Sequence, residues 1–391
     1  MIRMLPVILI ATLVNSALLA QVGNEWIEYG QTYYKFRIAE DGVFRISQET
    51  LTGAGLANVD ADAIRLYHMG EEVPVFVSTD GILAPGDFIE FVGYQNRGEL
   101  DRRLYENPDA EHLNPYYSMF TDSSAYFLTV SGSGAGKRVE TIDNDLTNLP
   151  DPEGSYMHEE LVMFTDDHFG PRLQPSTGVA YSHFVAGEGF AGGAKSNHAI
   201  DFSSSAVDMS GDSADLTVRL VASNLTAHEM SVSFLGDTIF REVLTGTAMR
   251  TAYTVVSPSD IEPSMTVYAD DLIAGGRVRV AFIKWEYPRL FQFDNASFVH
   301  LRHQADNTRQ YFEINDFDHS GQPPVVYDLA GAKRTLAQVD GAMIKFALPP
   351  DGQNRDLYIA SQAGGIQPVN DLSPVTFTDW SGDNPSFIIL S

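Results

Sequence analysis

The chain has no cysteine among its 391 residues. That absence excludes disulfides, zinc–thiolate sites, iron–sulfur clusters and any thiolate nucleophile. Basic residues are scarce too: 25 Lys+Arg against 52 Asp+Glu leave a formal net charge of −27. Binding to phosphates needs clustered Lys and Arg, so the balance argues against nucleic acid and against docking on an anionic membrane surface. Long amphipathic helices are missing, and no run beyond residue 20 approaches the roughly 20 apolar residues of a membrane span. What is present is apolar material, 44% hydrophobic and 11% aromatic, which rules out a disordered or fibrous chain and allows sizeable cores.

The first twenty residues carry Arg3, then a nearly unbroken apolar run, then a small residue, Ala20, before Gln21. That order is the pattern of a secretory signal peptide, the alternative being a retained N-terminal anchor; the chain is expected to be exported and, after signal cleavage, not transmembrane. Leu18 is an imperfect cleavage residue, which blurs the exact site. A cysteine-free exported protein has to be held together by its core alone.

From Trp26 onward, short alternating segments are broken by Gly, Asp, Asn and Pro. Residues 33–38 (YYKFRI) and 43–46 (VFRI) flank Asp41-Gly42, a spacing that predicts a hairpin. A short helix is expected from Ser47 to about Gly53 or Gly55. Residues 64–67, 73–77, 88–92 and 125–130 read as further strands. The stretch 131–137 (SGSGAGK) superficially resembles a phosphate loop. Ser131 stands where its first Gly belongs and Arg138 follows the Lys, so it reads as a flexible hairpin turn. Residues 143–154 look like a linker, after which strands recur at 216–220, 230–235, 278–283, 311–314, 324–328, 342–346 and 356–360. The expected fold is all-β: a signal peptide over 1–20, an N-terminal β domain over 21–150 and a β-sandwich or jelly roll over 151–375.

Little in this chain has the spacing of a catalytic motif. Gly132-Ser133-Gly134 lacks the flanking glycines and the strand–helix context of a nucleophile elbow. His158-Glu159-Glu160 lacks the second histidine of a zinc helix. His300 and His303, three apart on a strand, point to opposite faces. Adjacent acids (Asp60 with Asp62, Asp166-Asp167, Asp270-Asp271, Asp316 with Asp318) read as solvated loop surface. Asp143-Asn144-Asp145, and Asn315, Asp316 and Asp318 with Gly321, could offer oxygen ligands to calcium, though neither follows an EF-hand loop. Tyr116, Tyr117, Trp285 and Tyr287 could form a sugar or peptide platform, but aromatics at strand positions are more often core. The chain is therefore expected to hold no catalytic residue and no cofactor, with metal ligands undetermined.

Several segments, taken in order, resemble the PorU-type branch of the gingipain cysteine-peptidase family. They are 36–47 (FRIAEDGVFRIS), 64–70 (IRLYHMG), 85–93 (PGDFIEFVG), 114–118 (NPYYS), 126–129 (YFLT), 285–289 (WEYPR) and 326–329 (VYDL). The resemblance spans roughly residues 25–391. It implies a bacterial protein tied to type IX secretion, acting as a surface sortase or a secreted protease. In that family a caspase-like α/β domain follows the β domains, and residues 376–391, with Phe387-Ile388-Ile389-Leu390, have the character of its opening strand. The family's catalytic His and Cys would lie beyond Ser391, so the chain is expected to be the non-catalytic N-terminal part of a larger polypeptide, from a gene fragment or a truncated reading frame. Its expected partners are the missing peptidase domain or outer-membrane secretion components, and its expected place is the periplasm, outer-membrane surface or exterior. Without neighbours, the last apolar strand should be poorly packed. A guarding prodomain would offer a basic loop residue to the peptidase, and Arg97, Arg102, Arg103 and Arg172 are candidates. The alternative is a free-standing exported sandwich that binds glycan or peptide; a carboxylate hydrolase ranks last.

Overall fold

The structure, a computed structural model, describes residues 24–131, 134–170, 183–304 and 306–379. The signal peptide over 1–20, the centre of the 131–137 linker, Arg172 and the apolar run Phe387 to Leu390 lie outside those residues. Nearly every described element is a strand, so the fold class is all-β. No described helix is long and apolar enough to cross a membrane. The expected short helix forms over Gln48–Gly53. Its cap is the Ser47 hydroxyl, which accepts the Thr50 N–H at 3.1 Å, and Gly55 at φ +90° turns the chain away.

The strands build three sandwiches. In the first, a sheet of Ser373–Thr376, Thr32–Ile38, Ser124–Val130, Ile64–His68 and Glu71–Val73 faces a second of Ile366–Pro368, Gly42–Ser47, Phe88–Gly93 and Phe76–Val77. Phe36, Ile38, Phe44, Ile46, Phe91 and Leu128 fill the space between them. Asp41-Gly42 is not a hairpin turn. The strands it joins lie in different sheets, and neither residue has the positive φ that a two-residue I′ hairpin requires. The chain turns a corner there and crosses from one layer to the other.

The second sandwich packs Asn197–Ser203, Ser264–Asp271, Ala227–Phe234 and Asp237–Thr245 against Met249–Val256, Ala214–Ala222, Val278–Leu290 and Ser155–Met163. Trp285 lies at its centre, fully buried, with its indole N–H donated to the Ser204 hydroxyl at 2.9 Å. The third sets Gln292–Ala296, Gln310–Phe317, Met343–Leu348 and Gln338–Asp340 against Phe298–His303, Arg355–Ala360, Val325–Asp328, Lys333–Leu336 and Glu140–Thr141. Phe312, Phe346, Leu301 and Ile359 lie between those layers. The 131–137 linker also departs from the hairpin expected of it. Glu140–Thr141 runs parallel to Lys333–Leu336 in the third sandwich and does not return to Ser124–Val130.

The strand grouping cuts across the division expected at 150 from composition and the one at 375 that the family resemblance implied. Ile366–Pro368 and Ser373–Thr376 return to the first sandwich and add Val369 and Leu372 to its core. The first and third sandwiches also pack face to face through Val43, Val92, Val325, Tyr327, Tyr358 and Ala360. Both faces of Phe88–Gly93 are thereby buried, which is why its residues are apolar almost without alternation. The exception is Glu90, fully buried between the two sandwiches. Its carboxylate accepts from Arg45 Nε at 3.0 Å, Arg334 Nη2 at 3.3 Å and the Tyr327 hydroxyl at 2.7 Å. Arg334 lies 3.9 Å from the centre of the Phe76 ring and Arg45 3.9 Å from that of Phe88, so each cation of the network rests on an aromatic face.

A strap from the first sandwich, residues 95–123, crosses onto the outer face of the second. Leu113 packs with Ala191, Val221 and Phe282, and the Tyr105 hydroxyl donates to the Glu188 carbonyl at 2.7 Å.

Candidate functional site: an acidic cleft between the sandwiches

The three sandwiches surround a cleft of about 1040 Å³. The first contributes Asp41, Tyr94, Arg97 and Glu99, and the second Ser155 through Glu159, Leu161, Met163 and Glu286. The third gives His300 through Gln304, Asp356 and Tyr358. Each side chain arrives for a local reason. Asp41 sits at the corner turn, where its carboxylate accepts the Gln95 N–H at 3.0 Å and meets Arg97 at 2.6 Å. His300 and His303 leave opposite faces of Phe298–His303, as a period of two requires. His300 stacks on Tyr358 with ring centres 4.2 Å apart, while His303 lies edge-on to Phe312 at 5.4 Å. Because that strand is the edge of its sheet, both rings still border the cleft.

Carboxylates dominate the lining. Asp41, Glu99, Glu153, Glu159, Asp212, Glu286, Asp306 and Asp356 stand against Arg97 and Arg302, which makes the concavity a cation-attracting one. His300 meets Asp356 at 2.7 Å and His303 meets Glu153 at 2.9 Å. Lys284 holds Glu286 at 2.5 Å. Glu159 is exposed and has no bonded partner among the described residues. Burial in the wall, with Asp356 close by, raises the Tyr358 and Tyr94 hydroxyls well above the ordinary 10.0, so both stay neutral donors.

Several residues singled out in the sequence meet here: Arg97, His158, Glu159, His300 and His303. Asp41 stood out only as a turn residue, and Glu99, Glu153, Asp356 and Tyr358 carried no signal; Asp356 and Tyr358 meet His300, and Glu153 meets His303, across more than 50 residues of sequence. The remaining candidates are scattered. Trp285 and Tyr287 are core residues; Tyr116 packs edge-on against Phe282 at 4.9 Å and Tyr117 against Phe190 at 5.1 Å, so the four form no common platform.

Asp271, expected at a solvated surface, is fully buried and holds the equally buried His228 at 2.5 Å. Asp60 caps the turn at Asp62, and Asp167 pairs with Arg279 at 2.9 Å. Asn144 spends its side chain on the backbone of Lys345 and Ala347. Asp316 accepts from Gln292 and Asp318 from Ser320, while Asp145 faces Arg309 at 3.4 Å. No group of three or more potential metal ligands occurs among the described residues. Arg102 pairs with Asp109 at 2.7 Å, and Arg103 is exposed on the strap.

No family description matches the sequence. No curated protein matches it either. Among solved structures, dimeric latent PorU from Porphyromonas gingivalis superposes on 91% of this chain with a TM-score of 0.57 and 17% identity. The chain has a PorU-like fold. It spans 34% of the length of that PorU chain. Two further likenesses are much looser. The CBM36-1 domain of a multidomain xylanase from the hindgut metagenome of Trinervitermes trinervoides covers 33% of this chain and 96% of its own, at 14% identity and TM-score 0.19. The β-porphyranase of glycoside hydrolase family 86 from Bacteroides plebeius covers 68% of this chain and 36% of its own, at 8% identity and TM-score 0.20. Overlaps that shallow carry no argument about this chain.

Proposed function

We propose that this chain is the non-catalytic β-sandwich region of an exported, PorU-like member of the gingipain cysteine-peptidase family. There it would scaffold a peptidase domain and dock it to type IX secretion components at the outer membrane. The supporting observation is the PorU-like fold over 91% of the chain. The placement of the family-like segments agrees with it. Residues 85–93 and 326–329 sit on different sandwiches and touch through the Glu90–Tyr327 hydrogen bond, at the joint that fixes the first sandwich to the third. With no cysteine in the sequence, the thiolate of the reaction has to be supplied from elsewhere.

The reading is tested in two ways. Expressed with its leader in a secreting bacterium, the chain should be recovered outside the cytoplasm with Gln21 as its new N-terminus. The purified chain should show no saturable hydrolysis of arginine or lysine esters. Retention in the cytoplasm, or turnover that saturates with substrate, would overturn the proposal.

A further inference from the structure

The sheet of Asn197–Ser203, Ser264–Asp271, Ala227–Phe234 and Asp237–Thr245 turns one face to the core of the second sandwich. Ile200, Phe202, Met230, Val232, Val267 and Ala269 point into that core, so the residues alternating with them point out. None of the outward residues lines the acidic cleft. Two rows cross the outer face. Asn197, Asp270, Ser231 and Arg241 are directly opposed on the four strands, a row of about 14 Å at the ordinary strand spacing. Ala199, Tyr268 and Ser233 form the next row.

Parts of this face are internally satisfied. Thr266 donates to Asp201 at 2.6 Å, and Arg241 pairs with Glu229 at 2.6 Å. Three neighbouring groups are not. Tyr268 is 50% exposed between an alanine and a serine, so its ring stands above the side chains beside it. Asp270 is half-buried and makes no hydrogen bond or ion pair among the described residues. Burial raises its carboxyl above the ordinary 3.8, with nearby His198 lowering it. Ser231, next to Asp270 in the row, is only 6% exposed, and its hydroxyl has no hydrogen-bond partner among the described residues. A nearly buried polar group left unpaired costs stability until something outside completes it. Asp201, Asp270 and Glu229 against Arg241 disfavour a polyanion, and the short side chains suit a flat ligand better than a bulky one.

We propose that this face binds an extended, neutral, β-linked polysaccharide, with one sugar ring on Tyr268 and the hydroxyls of its neighbour on Asp270, Ser231 and Asn197. The ring supplies apolar area to the C–H face of a sugar, while the carboxylate and the hydroxyl fix its orientation. A flat chain can lie along the row across all four strands. A coiled one meets it at a single point. This inference stands on that sheet face and is independent of the peptidase-scaffold reading.

The probe is cellohexaose, titrated into the full chain by calorimetry, with maltohexaose as the coiled counterpart. Saturable binding of cellohexaose is expected, and markedly weaker binding of maltohexaose. Tyr268→Ala and Asp270→Ala should each weaken cellohexaose by about tenfold, the scale of one aromatic contact or one charge-assisted hydrogen bond. Tyr268→Phe keeps the ring and should bind within about twofold of the parent chain, which separates loss of stacking from loss of fold. No saturable binding of cellohexaose overturns the proposal. So does a Tyr268→Ala chain that binds as the parent does, or maltohexaose held as tightly as cellohexaose.

Discussion

Glu90 is a carboxylate in a place where burial is tolerable only because three donors meet it. A charge removed from water costs several kcal/mol and is offset by close, hydrogen-bonded partners, so removing one side of the network exposes the full cost. Glu90→Ala should therefore destabilise the chain by about 3–5 kcal/mol, read as a lowered urea midpoint, and Arg334→Ala should fall close to it. A shift no larger than that of an exposed Glu→Ala control would show that the joint between the first and third sandwiches is carried by its apolar residues.

His112 makes the opposite case. It is buried in the strap, stacked on Tyr105 with ring centres 4.7 Å apart, and neither ring nitrogen has a hydrogen-bond partner. Burial lowers its pKa to about 4; nearby Asp101 raises it, while Arg102 and Arg219 lower it further. The sign follows directly. Between the ordinary 6.5 and about 4 the unfolded chain takes up a proton that the folded chain refuses, so stability falls as pH falls through that window. His112→Gln should flatten the decline from pH 6.5 to 4 relative to the parent chain. An unchanged slope would mean that the strap opens freely to solvent.

At the scale of elements, the strands near the end of the described chain matter most for the first sandwich. Ile366–Pro368 pairs beside Gly42–Ser47, and Ser373–Thr376 beside Thr32–Ile38, each covering an edge. A chain stopped after Gly365 should melt at a lower temperature, with the first sandwich unfolding ahead of the other two as a separate calorimetric transition. A single transition at the parent temperature would contradict the pairing.

Individual strands were largely legible in the sequence, because period-two alternation and Gly, Pro and Asp punctuation are local properties. The Ser47 helix was legible for the same reason. Partnership was not. Asp41-Gly42 has hairpin chemistry, yet the layer that each flanking strand joins is set by contacts with Phe88–Gly93 and Ser124–Val130, far along the chain. The third sandwich was hidden because Glu140–Thr141 and Phe298–His303, more than 150 residues apart, share one sheet. Asp271 was misjudged because nothing next to it in sequence announces His228 across the pairing.

For the molecule as a whole, the three sandwiches are fastened at different joints by different chemistry. The first and third share a mixed apolar and ionic layer around Glu90, and the first reaches the second through the strap at Leu113. The cleft lies where the fastening stops, which is why its lining can stay polar. The cluster of Trp26, Tyr33, Phe127 and Phe377 brings the first and last described segments onto one face of the first sandwich.

The proposal that this chain is one region of a longer exported peptidase is tested most directly by the mass of the native polypeptide. An antibody raised against the folded chain should detect, in the envelope fraction of the source cells, a polypeptide well above the 43.0 kDa of these 391 residues. A sole exported species at or below 43.0 kDa would contradict it and leave a free-standing binding protein in its place.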